Sequence, residues 1–90
     1  MLQINLSKQS GKFLEKLPAK QKRQIAEKIF LLANNPIAND SKKLHGFEEY
    51  LRSDVGECRI VYRFSQSILY VDIVGKRNDG EVYRKLKRRR

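Results

Sequence analysis

The sequence predicts an α+β fold, with an antiparallel sheet packed on a helix hairpin in the order β-α-α-β-β-β-α. Residues 19–34 repeat apolar side chains at intervals of three and four, as an amphipathic helix does. Residues 58–64 and 68–74 instead alternate apolar and polar side chains, as half-buried strands do. Because the two patterns occupy separate halves of a chain of 90 residues, we expect one small domain over residues 1–90.

The first half of the chain predicts a short strand followed by two helices. Residues 2–6 alternate apolar and polar side chains, and Ser7 then has the right chemistry to cap a helix that runs to Leu17. Pro18 ends this helix and suits the first turn of the next one. The second helix stops before Pro36, so the two helices form a hairpin.

The second half predicts three strands and a closing helix. A short strand is expected over residues 47–52, and the two alternating runs form a hairpin through the polar turn at residues 65–67. Residues 79–88 read as a helix with Val82 and Leu86 facing the sheet.

The strand alternation also predicts which side chains share a face of the sheet. The apolar face, on which the helices pack, is expected to hold Ile60, Tyr62, Phe64, Leu69, Val71 and Ile73. The opposite face is expected to display Arg59, Val61, Arg63, Tyr70 and Asp72.

The net charge of +10 and the sequence pI of about 10.1 favour polyanionic partners: nucleic acid, an anionic membrane surface or an acidic protein. The cations concentrate late in the chain, where residues 58–90 contain ten Lys or Arg against three Asp or Glu. Five of these cations form a basic tail over residues 85–90, which is either a solvated terminus or a contact surface.

Cysteine usage and hydropathy indicate the compartment. Cys58 is the single cysteine, so the chain has no internal disulfide and we expect a reducing environment. The start of the sequence lacks the pattern of a signal peptide, and no apolar run approaches the roughly 20 residues that span a bilayer. We therefore expect a cytoplasmic protein without a membrane partner.

The residue types available for chemistry are cations and tyrosines. One histidine and one cysteine do not make a zinc site, so neither a metal nor another cofactor is expected. If the last helix folds back on the sheet, Arg59, Arg77 and Tyr83 surround one phosphate. The alternative is that both arginines are solvated and the Tyr83 ring packs on the sheet.

Several motifs in this order resemble the RelE/ParE superfamily of toxins from type II toxin–antitoxin systems, and the RelE branch most closely. They are the helix hairpin Phe-Leu-x-Lys-Leu-Pro at 13–18, Lys-Leu-x-Gly at 43–46, the strand Gly-Glu-Cys-Arg-Ile-Val-Tyr at 56–62, Val-Gly-Lys-Arg at 74–77 and Glu-Val-Tyr at 81–83. The resemblance covers nearly the whole chain and implies a RelE-like fold.

The resemblance implies a ribosome-dependent endoribonuclease that cuts messenger RNA in the A site without a metal, using the substrate 2′-hydroxyl as nucleophile. Arg59, Arg77 and Tyr83 match the catalytic positions of the family. Further substrate contacts are expected from Tyr50, Arg52, Arg63 and Lys76. Where the family has strand lysines this chain has Arg52, a poor base, and Cys58 stands where the family usually has an aromatic residue, so the general base stays open.

Two other functions fit the same sequence. ParE-type toxins share the fold but inhibit DNA gyrase without a nuclease site, and a basic RNA-binding module needs no catalysis. The pair Arg77 and Tyr83 favours the ribonuclease. The resemblance and the charge also imply an acidic antitoxin as partner, with the toxin monomeric alone and in a larger assembly with its antitoxin.

Overall fold

The computed structural model describes residues 1–38, 40–78 and 80–89, with Arg89 described in its backbone only. The secondary structure elements are β1 (Gln3–Leu6), α1 (Lys8–Glu15), α2 (Ala19–Asn34), β2 (Lys42–Leu44), β3 (Phe47–Val55), β4 (Cys58–Phe64), β5 (Ile68–Lys76) and α3 (Glu81–Arg89). This order confirms the predicted α+β class and adds one strand, β2. The predicted closing helix began at Asp79, which lies outside the described residues.

The five strands form one sheet in the order β1-β5-β4-β3-β2. Strands β3, β4 and β5 pair antiparallel, as predicted, and the additional strand β2 also pairs antiparallel with β3. Strand β1 pairs with β5 in parallel, so the sheet is mixed and the prediction of an antiparallel sheet is wrong at this edge. Strand β2 has only three residues, too few to show a periodic pattern. Strand β3 is longer than predicted and ends at Val55.

Helix α1 begins where the sequence predicts and protects the edge of β5. The Ser10 N–H donates a hydrogen bond of 3.1 Å to Ser7 Oγ, which caps the helix. Strand β1 pairs with β5 only as far as Val71. Beyond that residue, the Gln9 side chain makes the hydrogen bonds to the edge of β5. Its amide donates to the Val74 carbonyl at 2.9 Å and accepts from the Val74 N–H at 3.0 Å, so this stretch of strand edge is satisfied.

Helix α2 covers the first face of the sheet. Its buried residues Ile25, Ile29 and Leu32 pack on Ile60 and Tyr62 of β4. The Tyr62 hydroxyl donates to the Pro36 carbonyl at 2.6 Å, which fixes the segment that leaves the helix. None of the helices in the described ranges is long and apolar enough to cross a membrane.

Helix α3 covers part of the second face, which corrects the prediction that the helices pack on one face only. Val82 and Leu86 are fully buried, as predicted. Their partners are on the other face from the helix hairpin, in a second core cluster: Leu44, Phe47, Tyr50, Val61 and Ile73. The sheet therefore has a core on both sides, and the charged side chains share the second face with α3.

A β-bulge in β5 explains the one apolar residue placed on the wrong face. Val61 pairs with Ile73 and Tyr62 pairs with Val71, so Asp72 is the extra residue. Beyond the bulge the alternation shifts by one, and Ile73 joins the core under α3 while Val74 joins the core under α2. The prediction that Leu69, Val71 and Ile73 share one face is therefore wrong at Ile73.

Gly75 sets how closely α3 can approach β5, and Gly75→Ala tests this. A Cβ at this position would lie 3.2 Å from Val82 Cγ1 and 3.4 Å from Lys85 Nζ. We expect a loss of about 1 kcal/mol in the free energy of unfolding, measured in urea, because the helix must shift outward. Gly11→Ala in α1 is the matched control: its Cβ meets nothing within 4 Å, so it should stabilise by about 0.5–1 kcal/mol. Equal effects at the two positions would contradict the close approach.

Candidate nucleic-acid site

The site begins at the tight turn between β3 and β4. Gly56 has φ 58°, in the left-handed region that favours glycine, and with Glu57 it links Val55 directly to Cys58. In this register Asp54 lies directly opposite Arg59. Directly opposed side chains of an antiparallel pair are close enough to interact, so the turn brings a carboxylate onto the predicted catalytic arginine.

Asp54 and Arg59 form a two-point ion pair. Arg59 Nε donates to Asp54 Oδ1 at 2.7 Å, and its Nη2 donates to Oδ2 at 3.3 Å. Arg52 Nη1 approaches the same carboxylate, 3.7 Å from Oδ2. The hydrogen bond from Arg59, opposed by partial burial, lowers the pKa of Asp54, and the charges of Arg59, Arg52 and Arg77 lower it further. One carboxylate thus lies in the field of three guanidinium groups.

Arg59 and Arg77 reach this place from neighbouring strands. Arg59 pairs with Gly75 of β5, against which α3 packs closely, and Arg77 follows the end of that strand. The Arg77 N–H donates to the Glu57 carbonyl at 3.0 Å, which fixes its backbone against the β3–β4 turn. Its side chain is exposed, whereas that of Arg59 is only 15% exposed.

Tyr83 completes the cluster from α3. Its half-buried ring packs on Phe47, with the ring centroids 6.3 Å apart and the planes tilted by 48°. The Asp54 hydrogen bond, opposed by burial, raises the pKa of Arg59, and the nearby charge of Asp54 and the Tyr83 phenol raise it further. The ring of Tyr83 therefore packs on the sheet, and its hydroxyl lies close enough to Arg59 for their charges to interact; whether it contacts a phosphate stays a prediction.

Glu81 anchors the helix that presents Tyr83. Its carboxylate accepts from the Lys76 N–H at 2.9 Å and pairs with Lys85 Nζ at 2.9 Å. Lys85 Nζ also lies 4.7 Å from the centre of the Phe13 ring in α1. These contacts tie α3 to the end of β5 and to the helix hairpin, so the position of Tyr83 relative to the arginines is fixed. Lys76 itself is exposed at this edge.

Arg63 lies on the same face but four residues further along β4, about 13 Å from Arg59 at the usual strand rise. Its guanidinium lies 4.1 Å from the centre of the Tyr70 ring, and its Nε donates to Asp72 at 2.9 Å. Tyr50, beside it, is buried at 8% exposure. Arg63 is therefore separate from the cluster around Asp54, and the buried Tyr50 is one of its side-chain contacts.

Cys58 belongs to the core and not to the site. It is buried in the cluster under α2, and burial raises the pKa of its thiol, as do the charges of Glu57 and Glu81. Within the described ranges no three His, Cys, Asp or Glu side chains group closely enough to hold a metal ion. The chemistry this site offers is that of guanidinium groups and a phenol.

The structure brings Arg52, Arg59, Arg77 and Tyr83 together and adds Asp54, which the sequence analysis missed. The signal was available: a two-residue turn between Val55 and Cys58 fixes the register of the hairpin and pairs position 54 with position 59. The pairing was missed because the strand was predicted to end at residue 52, which placed Asp54 outside it.

An α+β protein with this sheet order, a helix hairpin on one face and a short helix on the other has the RelE-like fold. No family model and no curated protein matches the chain. Solved structures do. A mutant of the Escherichia coli toxin RelE in the free state is 22% identical, with a TM-score of 0.80 over 98% of this chain and 96% of that chain.

Two toxin–antitoxin complexes give similar values. The RelBE2 complex of Mycobacterium tuberculosis is 20% identical, with a TM-score of 0.73 over 84% of this chain and 98% of that chain. The archaeal RelE–RelB complex from Pyrococcus horikoshii is 22% identical, with a TM-score of 0.73 over 87% of this chain and 97% of that chain. The fold that the sequence motifs imply is thereby confirmed.

The ion pair at Asp54 predicts a pH dependence of stability. Because folding lowers the pKa of Asp54 below 3.8, its contribution is fully present above that value and is lost as the pH falls through the folded pKa. Asp54→Asn should therefore cost about 1 kcal/mol of unfolding free energy at pH 7, and the deficit should shrink below pH 4, measured by urea unfolding across pH 2.5–7.

Glu48→Gln, at an exposed position near the start of β3, removes the same charge and serves as the control. Its deficit should be small at every pH. An Asp54→Asn deficit that stays constant down to pH 2.5 would show that the carboxylate charge contributes nothing to folding.

Proposed function

We propose that this protein is the toxin of a type II toxin–antitoxin pair and that it cleaves messenger RNA in the ribosomal A site. The observation that supports this most directly is the convergence of Arg59, Arg77 and Tyr83 at one end of the sheet, next to Arg52. Guanidinium groups around an open surface fit a phosphodiester, and the fold is that of solved RelE toxins.

The reaction uses the nucleophile that RNA provides. The 2′-oxygen attacks the adjacent phosphorus in line, loses its proton, and forms a phosphorane. The bond to the 5′-oxygen then breaks and that oxygen takes up a proton, which leaves a 2′,3′-cyclic phosphate and a 5′-hydroxyl. The protein has to orient the 2′-oxygen, stabilise the phosphorane charge and assist the two proton transfers.

Arg59 and Arg77 suit the second of these tasks. A planar guanidinium donates two parallel hydrogen bonds to phosphate oxygens and keeps its charge at all physiological pH values. Tyr83 lies beside them with its ring packed on Phe47, where it serves as a stacking surface for a base or takes part in proton transfer. Arg52 adds charge near the same phosphate but is a poor base, so part of the acid–base work falls to the ribosome.

The proposed partners follow from charge and from the complexes of the similar structures. Three similar toxins were solved with RelB-type antitoxins. A protein of net charge +10 fits an acidic antitoxin with a segment that folds on binding. We propose that such an antitoxin wraps the helix hairpin and the sheet and prevents cleavage.

The decisive experiment adds the purified protein to a translating extract and maps the 5′ ends of a defined message. Cleavage on ribosomes, slow cleavage of naked RNA, and full protection by saturating cognate antitoxin are expected. Inhibition of gyrase supercoiling with no RNA cleavage would instead establish a ParE-like toxin, and RNA binding with neither effect would establish a simple binding module.

Arg77→Ala tests the site. Loss of one preorganised donor to a developing negative charge costs about 10²–10³ in rate, and we expect that loss in single-turnover cleavage on ribosomes. Arg77 is exposed and follows the strand end, so the unfolding free energy should hardly change. Arg23→Ala, an exposed arginine on α2, removes the same charge and should leave the rate unchanged. Equal cleavage by the wild type and Arg77→Ala would remove Arg77 from the site.

The basic tail gives a separate prediction about docking. Lys85 and Arg88 of α3 line grooves that α1 also borders, and Lys87 is exposed, whereas Arg90 and the Arg89 side chain lie outside the described residues. Deleting residues 87–90 should weaken ribosome binding and make log affinity depend less steeply on log salt, by up to about 3.6 units if all four cations meet phosphates. The rate at saturation should stay near normal. An unchanged salt slope would mean that the tail does not touch the ribosome.

A further inference from the structure

The geometry of the Asp54–Arg59 pair leaves one edge of the guanidinium for a ligand. A guanidinium has a side edge, formed by Nε and one Nη, and an end edge, formed by the two Nη groups. Asp54 takes the side edge, through Nε at 2.7 Å and Nη2 at 3.3 Å. Nη1 and the outward proton of Nη2 then form the edge that can bind a phosphate bidentately.

The surroundings hold this arrangement in place. The Arg59 side chain is 15% exposed and that of Asp54 is 30% exposed, so water competes only partly for the pair. Asp54 Oδ2 also has Arg52 Nη1 at 3.7 Å. The carboxylate is fixed from two sides by cations on β3 and β4, the two strands of one tight hairpin.

We propose that Asp54 is a positioning residue that holds the Arg59 guanidinium with its end edge towards the scissile phosphate of the RNA. This proposal rests on the proposed ribonuclease function and adds to it a residue that acts through Arg59. A free arginine side chain samples many rotamers, whereas this one is fixed in direction before the substrate arrives, so less freedom is lost in the transition state.

The competing role for Asp54 is that of general base, and the structure argues against it. Both carboxylate oxygens accept hydrogen bonds from Arg59, and this contact lowers the pKa of Asp54, which makes it a weak proton acceptor. A base would also act independently of Arg59. The two roles therefore differ in how the effects of substitutions combine.

A double-mutant cycle separates the roles. Single-turnover cleavage is measured on saturated ribosomes for the wild type, Asp54→Asn, Arg59→Ala and the double variant. A positioning residue predicts a loss of about 10–10² for Asp54→Asn alone and less than about threefold in the Arg59→Ala background. The same loss in both backgrounds, or an acid limb of the pH–rate profile that disappears in Asp54→Asn, overturns the proposal. Glu48→Gln controls for net charge and should have no effect.

A second measurement does not depend on cleavage, so the proposal and the proposed function can fail separately. In ¹H–¹⁵N spectra of the whole protein, the Arg59 Nε–H should exchange slowly with water in the wild type and rapidly in Asp54→Asn. Titration with a 2′-O-methyl RNA tetranucleotide, which lacks the nucleophile, should shift the Arg59 Nη signals and leave its Nε–H protected. A wild-type Nε–H that exchanges as fast as that of an exposed arginine overturns the proposal whether or not the protein cleaves RNA. If the wild type cleaves no RNA but the Nε–H is protected and the Nη signals shift, the nuclease function fails and the phosphate-directing role of Asp54 stands.

Discussion

Strand β4 has to complete an apolar core on one face of the sheet and present charge on the other, and the site depends on this division. Ile60 and Tyr62 face the helix hairpin and are fully buried. Arg59 and Arg63 alternate with them, because side chains of a strand point to opposite faces in turn. Val61 lies between the arginines and is the β4 residue that packs in the second core, against α3. The two arginines therefore flank the surface on which α3 packs.

The electrostatics of the second face follow from its composition. Arg52, Arg59 and Arg77 all act on one carboxylate, Asp54, so the cluster around it keeps a positive charge after this pairing. The pairing relieves part of the repulsion that three guanidinium groups would otherwise exert on the fold, and it leaves the remaining positive charge unmatched at the surface. A phosphodiester bound as proposed would supply the missing negative charge, and this would connect the stability of the hairpin with the proposed binding of RNA.

Sequence patterns predicted the parts of this structure that depend on local periodicity. The period of 3.6 placed Val82 and Leu86 against the sheet, and the period of 2 placed Arg59 and Arg63 on one face. The misplacement of Ile73 came from the bulge at Asp72, since no local signal in the sequence marks an extra residue. The side of the sheet that α3 covers also depends on how the chain crosses it, which periodicity does not specify. The position of Asp54 could have been predicted but was not. The register that pairs it with Arg59 follows from the two-residue turn at Gly56 and Glu57, which the sequence does show.

The site consists of two parts that different interactions hold in place. Asp54 and Arg59 lie on one tight hairpin, and their geometry depends on strand pairing and on their own ion pair. Tyr83 is held by α3, a nine-residue helix seated through Val82 and Leu86 and anchored by Glu81. A helix this short gains little stability from its own backbone, so its position depends on the packing of Val82 and Leu86 and on the contacts of Glu81. A partner segment that took the place of α3 on the sheet would remove Tyr83 and leave the arginines in place, so the arginine cluster and the helix-borne part of the site can be lost separately.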